Sequence, residues 1–288
     1  AFKYYTGDEG LTRDTAWTSG TGTEDLGATY GGSNFNESGY VKQETVRRGC
    51  SGCGGSSGGI TLDYYYMEGN TGTGPNEVSR IVVEDRSDSE GNFVRRKIAG
   101  LNADQVALRE VMATGSSPSS PTYWCRSKKL GAIGGSDGDD KKAIEVRHPS
   151  AHTCVTDSAG NIDEFLDPTT GSNDDDTLNA SIGLVEVYTY YDYGRRKAEK
   201  VKKGRTGTAY YVRKYEYTSN TYSGVTIYKK SADIVYPDDD VTDPADSCKK
   251  TTSYTYTWHQ DASANDKLAV KTRTTTFPSV PSGENGTG

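Results

Sequence analysis

Alternation of apolar and polar residues is the main pattern along the chain, and it predicts β-strands rather than helices. The clearest example is the stretch 187–191, in which Tyr188 and Tyr190 lie two residues apart and therefore share one face of an extended strand. Asp192 and Gly194 follow and predict a turn, because Asp bonds the nearby backbone and Gly accepts a positive φ. The charged residues 195–201 then predict a returning strand. The unit is a β-hairpin.

The same alternation predicts strands along most of the chain. Stretch 102–113 fits either a helix or a strand, and a strand is preferred because its neighbours are strands. We predict an all-β fold, an antiparallel array of β-hairpins with little or no helix, in which each unit packs on its neighbours. The other predicted strands are Tyr40–Arg48, Ile60–Met67, Ser79–Asp85, Phe93–Ile98, Tyr123–Arg126, Ala143–Arg147, Leu184–Tyr191, Tyr210–Tyr217, Val225–Lys230, Thr251–Trp258 and Leu268–Thr276.

One motif within this pattern is specific enough to suggest a family. Tyr188, Tyr190, Asp192, Gly194 and Arg195 form a Tyr-x-Tyr-x-Asp-x-Gly-Arg pattern, which resembles the tyrosine-aspartate (YD) repeat of the bacterial rearrangement-hotspot (Rhs) family. Looser copies keep the tyrosines and lengthen the turn, at 215–224 and 254–266. The resemblance implies a shell- or tube-like repeat sheet, an extracellular or cell-surface location, and a structural role. A fragment of a toxin-enclosing shell is the alternative that it implies.

Composition and motif density divide the chain into four predicted regions. Residues 1–148 form degenerate YD-like repeats that include a Gly-rich loop with two cysteines, and residues 149–181 form an irregular acidic insertion. Residues 182–277 form the YD-repeat segment, and 278–288 form a flexible tail. The chain begins at Ala1 without a Met or a signal peptide, which predicts a processed product or a piece of a longer protein.

Composition limits the classes of function. Hydrophobic residues make up 32% of the chain, and Tyr accounts for 21 residues against 5 Phe and 3 Trp, so we expect a thin core and amphipathic sheet faces. The net charge of -7 disfavours nucleic acid as a partner. No segment approaches the roughly 18 apolar residues of a membrane helix. The expected partners are copies of this chain or further repeats of a longer parent.

The five cysteines suggest disulfide bonds. In an extracellular β protein, Cys50 and Cys53 are expected to pair with each other or with Cys125 or Cys154; the odd number leaves one cysteine over, and the state of Cys248 stays open. A zinc site would need the Cys50 and Cys53 pair together with a cluster formed by His148, His152 and Cys154. A disulfide is preferred, so no metal site is predicted.

The sequence contains no motif that points to catalysis. Gly-x-Ser-x-Gly, His-Glu-x-x-His and a phosphate-binding loop are all missing from it. The acidic turns 137–140, 174–176 and 238–240 lack the spacing of a calcium loop and are predicted to be solvated. We therefore predict a protein that is not an enzyme and has no cofactor. Glycan binding through exposed Trp124 or Trp258 is the alternative from the binding class.

Overall fold

A computed structural model describes most of the predicted strands. It describes residues 2–4, 41–47, 59–68, 76–88, 93–114, 122–131, 142–152, 178–238, 240–245 and 248–279. The Gly-rich loop with Cys50 and Cys53, most of the acidic insertion and nearly all of the C-terminal tail lie outside these residues.

The described residues form fourteen β-strands and one short 3-10 turn, Pro149–Ala151. This confirms the all-β prediction, and the ambiguous stretch 102–113 contributes a strand rather than a helix. The strands are β1 Phe2–Tyr4, β2 Val41–Arg47, β3 Gly59–Glu68, β4 Arg80–Ser87, β5 Phe93–Leu101, β6 Ala107–Thr114, β7 Thr122–Gly131, β8 Lys142–Arg147, β9 Leu184–Tyr190, β10 Arg196–Lys203, β11 Tyr210–Tyr222, β12 Val225–Val235, β13 Lys250–Gln260 and β14 Asp266–Thr276.

The strands are hydrogen-bonded in the order of the chain, from β1 to β14. Wherever the register is resolved the pairing is antiparallel. Antiparallel neighbours need only short connections, which agrees with the turn residues that separate the strands in the sequence. The predicted array of antiparallel hairpins is confirmed.

The chain divides into two compact units. Unit 1 comprises 1–131, 141–185 and 203–206, and unit 2 comprises 132–140, 186–202 and 207–288. In unit 1 the core lies on one face of β4 to β7, where Ile81, Val83, Ile98 and Val111 are almost completely buried. The core of unit 2 is smaller and includes Ala232, Ile234, Tyr236 and Val241. Both cores are thin, as the low hydrophobic content predicts.

Three hairpins share one turn geometry. In each turn the carbonyl of the first residue accepts a hydrogen bond from the N–H of the fourth residue, and the N–H of the first residue donates to the carbonyl of the fifth residue. The turns are 191–195, 102–106 and 261–265. The fourth residue has a positive φ in each, at Gly194 (79°), Gln105 (62°) and Ala264 (63°). A type I turn followed by a left-handed residue has this pattern. The turn predicted at Gly194 is confirmed.

The β11–β12 hairpin uses a shorter connection. Tyr222 pairs with Val225, and the two residues between them, Ser223 and Gly224, have φ values of 51° and 78°. Two successive positive φ values define the type I′ turn, whose twist matches that of the flanking strands. Ser223 and Gly224 therefore connect β11 directly to β12, and β11 continues to Tyr222 rather than ending at Tyr217 as predicted.

Exchanging the residues at two left-handed positions tests the shared turn. We expect Gly194→Ala to lower the free energy of unfolding by about 1 kcal/mol, because Ala is strained at positive φ. The reverse change, Ala264→Gly, relieves the same strain and should be neutral or stabilising by less than about 1 kcal/mol, since Gly also loses more chain entropy. Urea unfolding of both variants measures the difference. Equal losses in the two variants would contradict a shared geometry.

Candidate functional site

The motif that carries the family resemblance lies in β9 and the turn after it. Tyr188 and Tyr190 lie two residues apart in β9, and the Tyr188 hydroxyl donates a hydrogen bond to the Glu186 carboxylate on the same face. Burial, followed by this hydrogen bond, raises the pKa of Tyr188 above its ordinary value. Asp192 and Arg195 are exposed in the turn. The motif thus provides a strand, a tight turn and a return rather than a converging set of side chains.

Four tyrosines form a ring stack beside this turn. Tyr193 stacks on Tyr191 and on Tyr228, with ring centroids 5.1 Å and 3.7 Å apart, and all three rings are almost parallel. Tyr217 meets Tyr191 and Tyr193 edge-on at 5.8 Å and 6.1 Å. Such aromatic pairs contribute roughly 0.5–1.5 kcal/mol beyond their area. The stack joins the β9–β10 turn to β11 and β12, which the sequence motif alone did not predict.

Charged groups and tyrosine hydroxyls form a second network across β10, β11 and β12. The Tyr215 hydroxyl donates to Glu199 at 2.8 Å, and the Glu199 carboxylate also accepts from Arg196 at 2.6 Å. Burial, followed by the hydrogen bond to Glu199, raises the pKa of Tyr215 to about 12. Arg213 donates two hydrogen bonds of 2.6 Å to Asp233. The bonds from Tyr215 to Glu199 and from Arg213 to Asp233 join neighbouring strands, whereas Arg196 and Glu199 lie in the same strand, β10.

Cations lie over the tyrosine rings of the same unit. The Lys230 ammonium is 4.3 Å from the centre of the Tyr215 ring, and the Arg196 guanidinium is 4.3 Å from that of Tyr188. Lys200 lies 4.0 Å from the Tyr211 ring. Contacts of this kind contribute roughly 0.5–1 kcal/mol at exposed sites. Tyrosine therefore adds to the few aliphatic side chains that pack in unit 2.

The chemistry of this tyrosine–charge network is that of cross-strand attachment. Its carboxylates already accept hydrogen bonds from arginine, lysine or tyrosine. Several hydroxyls donate to main-chain carbonyls of other strands, as Tyr191 does to Tyr215, Tyr217 to Arg196 and Tyr256 to Lys230. Groups that are mutually satisfied in this way hold strands in register.

The pH dependence of stability should reveal the Asp233 pair. Burial alone raises the pKa of Asp233, but hydrogen bonds from Arg213 and Lys230 outweigh it and hold the pKa below its ordinary value. Stabilisation by this carboxylate is therefore present above about pH 4 and is lost as the pH falls through the folded-state pKa. We expect Asp233→Asn to lower the free energy of unfolding by about 1–2 kcal/mol at neutral pH. The loss is limited because Arg213 and Lys230 are partly exposed. It should be smaller in acid, where the wild-type carboxylate also loses its charge.

Urea unfolding of the wild type and Asp233→Asn between neutral pH and pH 3 measures this difference. Asp238→Asn is the control, because Asp238 is an exposed aspartate of the same unit. An Asp233→Asn variant that loses as much stability in acid as the wild type would contradict the prediction.

The structure describes only some of the predicted cysteine and histidine sites. Cys125 is completely buried in β7, and Cys248 is exposed. Cys50, Cys53 and Cys154 lie outside the described residues, so the disulfide pairing stays a prediction. Within the part of the chain that the structure describes, no group of three His, Cys, Asp or Glu side chains is arranged to hold a metal ion.

Unit 1 contains a serine–histidine pair that no sequence motif predicts. Ser127 Oγ lies 3.0 Å from His152 Nε2, joining β7 to the residue after the 3-10 turn. Both residues are buried, with exposures of 2% and 7%, so the serine hydroxyl is not presented to a substrate in solution. The pair is an internal connection of unit 1, and the sequence carries no signal for it, because Ser127 lies between Arg126 and Lys128 like any polar residue of a charged strand.

Comparison with known proteins found no matching family model, no matching curated protein and no matching solved structure. Among the described residues, no helix has the length and apolar character needed to cross a membrane. The features of the molecule that bear on function are its architecture and the tyrosine–charge network.

Proposed function

We propose that this chain is a structural β-sheet module that extends by pairing its edge strand with further strands. The strands come from copies of the chain or from further repeats of a longer parent. The observation that carries the proposal is the strand order, which follows the chain from β1 to β14 and ends in β14, whose one paired strand in that order is β13. Asn220 of β11 donates a hydrogen bond to the Lys267 carbonyl near the start of β14, so this one carbonyl is not open to another strand. The resemblance to YD repeats supports it and suggests an extracellular or cell-surface location.

The composition of β14 suits strand addition. The strand is eleven residues long and contains four threonines, a residue type that favours sheets. Thr272 and Thr274 pair with Thr257 and Thr255 of β13, and the two hydroxyls of Thr257 and Thr272 are 2.6 Å apart. An ordered edge of this length offers unpaired main-chain groups to another strand, which natural proteins otherwise cover or protect with charge.

Charge placed on this edge should block assembly. We expect the wild type to form larger species with increasing concentration in sedimentation velocity experiments, and filaments or larger particles in negative-stain micrographs. Thr274→Lys with Thr276→Lys should shift the protein to the monomer, because like charges meet when two edges pair. Thr189→Lys with Thr218→Lys makes the same change at exposed positions of the internal strands β9 and β11 and should assemble as the wild type does.

A wild-type protein that stays monomeric at all concentrations and protects the β14 amides from hydrogen exchange would refute the proposal. Equal loss of assembly in the two lysine variants would also refute it, since net charge rather than the edge would then control association.

A further inference from the structure

The β4–β7 part of unit 1 has two very different faces. One face carries the core. The residues that alternate with the core residues along each strand lie on the opposite face. Arg86, Arg95, Lys97 and Arg126 lie on the opposite face, as their register shows: Arg86 pairs with Arg95, Lys97 with Glu84, and Arg126 with Glu110. We name these four residues the basic patch. Three of their side chains are accessible, with exposures of 36% for Arg95, 44% for Lys97 and 43% for Arg126.

The described residues of unit 1 offset only part of the positive charge of the basic patch. Arg86 and Arg95 are directly opposite each other on neighbouring strands, an arrangement of like charges that costs stability. The Nε atoms of Arg86, Arg95 and Arg126 are buried and have no hydrogen-bond acceptor among the residues that the structure describes. A buried donor without an acceptor costs roughly 1–3 kcal/mol. Because these Nε atoms are shielded from solvent, an anionic ligand would meet the exposed parts of Arg95 and Arg126 rather than the three buried donors.

Two carboxylates contact the basic patch but leave it with an excess of positive charge. Glu84 lies 3.8 Å from Arg95, and Glu110 lies 3.7 Å from Lys97 and 4.0 Å from Arg126. These separations are at the long end of the range for ion pairs, and the cations are partly exposed, so the attraction is weak. A ligand that supplies anionic oxygens would pair with guanidinium groups that these carboxylates reach poorly.

An exposed aromatic ring lies beside the patch on the same face. Trp124 is two residues before Arg126 in β7 and is 55% exposed, and it pairs with Met112 of β6, which is 37% exposed. A large ring with one side accessible is suited to stacking on the apolar face of a sugar, as aromatic residues at interfaces do. The ring and the guanidinium of Arg126 thus offer an apolar and an ionic contact side by side.

We propose that this face of unit 1 binds an acidic polysaccharide, whose sugar rings stack on Trp124 and whose carboxylate or sulfate groups pair with Arg86, Arg95 and Arg126. The spacing of charges favours this ligand over nucleic acid. A nucleic acid carries a dense row of phosphates, and Glu84 and Glu110 stand between the arginines and would repel it. A polysaccharide with widely spaced anionic groups can meet separate arginines and avoid these carboxylates.

Binding of defined polymers to the full chain tests this proposal. The probes are chondroitin sulfate for sulfate groups, hyaluronate for widely spaced carboxylate groups, dextran as a neutral polysaccharide and single-stranded DNA as a dense polyanion. We expect one of the two acidic polysaccharides to bind and dextran not to bind. The affinity should fall as salt is added, because screening weakens partly exposed ion pairs.

Matched variants locate the site. Arg86→Gln with Arg95→Gln and Arg126→Gln should weaken binding by roughly tenfold or more, and Trp124→Ala should weaken it by a smaller factor without changing the salt dependence. The control changes charge equally in unit 2, with Lys249→Gln, Lys250→Gln and Lys271→Gln at exposed positions, and should bind as the wild type does. Circular dichroism verifies that all variants fold.

Three outcomes would overturn the proposal. They are the failure of both acidic polysaccharides to bind at low salt, an equal loss in the control variant, and tighter binding to single-stranded DNA than to either acidic polysaccharide. Because the measurement uses the basic patch and not the β14 edge, its result is independent of assembly.

Discussion

Replacement of Asp85 by alanine should lower the free energy of unfolding by about 3–5 kcal/mol. Asp85 pairs with Arg96 across β4 and β5, and the two carboxylate oxygens accept hydrogen bonds of 2.5 Å from Nε and Nη2 of the guanidinium. The two residues are only 7% and 4% exposed. Without Asp85 the guanidinium would lose its bidentate acceptor while remaining on the core side of the sheet, where loss of the paired carboxylate from a buried cation is costly.

The second arginine–aspartate pair of the molecule provides the comparison. Arg213 and Asp233 have the same two-bond geometry, with both distances 2.6 Å, but the Arg213 side chain is 41% exposed. Water can replace the lost carboxylate there, so Asp233→Ala should cost clearly less than Asp85→Ala. Urea unfolding at neutral pH measures both losses.

A double variant distinguishes the loss of a partner from the loss of packing. In Asp85→Ala with Arg96→Met the buried charge is removed together with its acceptor, so a substantial part of the stability should return. Equal losses for Asp85→Ala and Asp233→Ala, or no recovery in the double variant, would show that burial of Arg96 does not determine the cost.

The strands were predictable because alternation and β propensity agree along most of the chain. Stretch 184–191 was predicted as a strand, and β9 spans Leu184–Tyr190. The main errors are at strand ends. The alternation predicts that β12 ends at Lys230, but the strand continues to Val235. Burial of Ala232 and Ile234 in the core of unit 2 stabilises this extension, although polar residues interrupt the apolar pattern there.

Buried charge was not predictable. Arg96 and Asp85 occupy core-facing positions in strands whose other core-facing residues are apolar, and from the sequence they resemble solvated residues on a charged strand. Only the pairing of β4 with β5 brings them together. The basic patch escaped prediction for the same reason, because Arg86, Arg95 and Arg126 are separated in sequence and become one surface only through the register.

The turns were predictable where glycine marks them. Gly194 indicated its turn, but Gln105 and Ala264 adopt the same left-handed conformation without that signal. A second signal was present, since an Asn or Asp begins each of these two turns. Asn102 Oδ1 accepts from the N–H groups of Asp104 and Val106, and Asp261 Oδ1 accepts from those of Ser263 and Asn265. The side chain satisfies main-chain groups and offsets strain that glycine would avoid.

Asn102 and Asp261 begin turns of the same geometry, but their removal should lower the free energy of unfolding by different amounts. Asn102→Ala should lower the free energy of unfolding by about 2–3 kcal/mol, because Asn102 is completely buried and its removal takes away packing as well as the acceptor of two partly buried N–H groups. Asp261→Ala removes the same two hydrogen bonds in a turn whose remaining residues are exposed. Water can satisfy the N–H groups there, so its cost should be clearly smaller.

Amide hydrogen exchange supplies a measurement that separates the turn from the rest of each unit. In Asn102→Ala we expect faster exchange at Val106 together with a lower global stability, since β5 and β6 lie in the core of unit 1. In Asp261→Ala the faster exchange should be confined to the β13–β14 turn, because that hairpin lies at the end of the strand order. Equal global losses in the two variants would mean that the turn geometry, and not the burial of its first side chain, determines the cost.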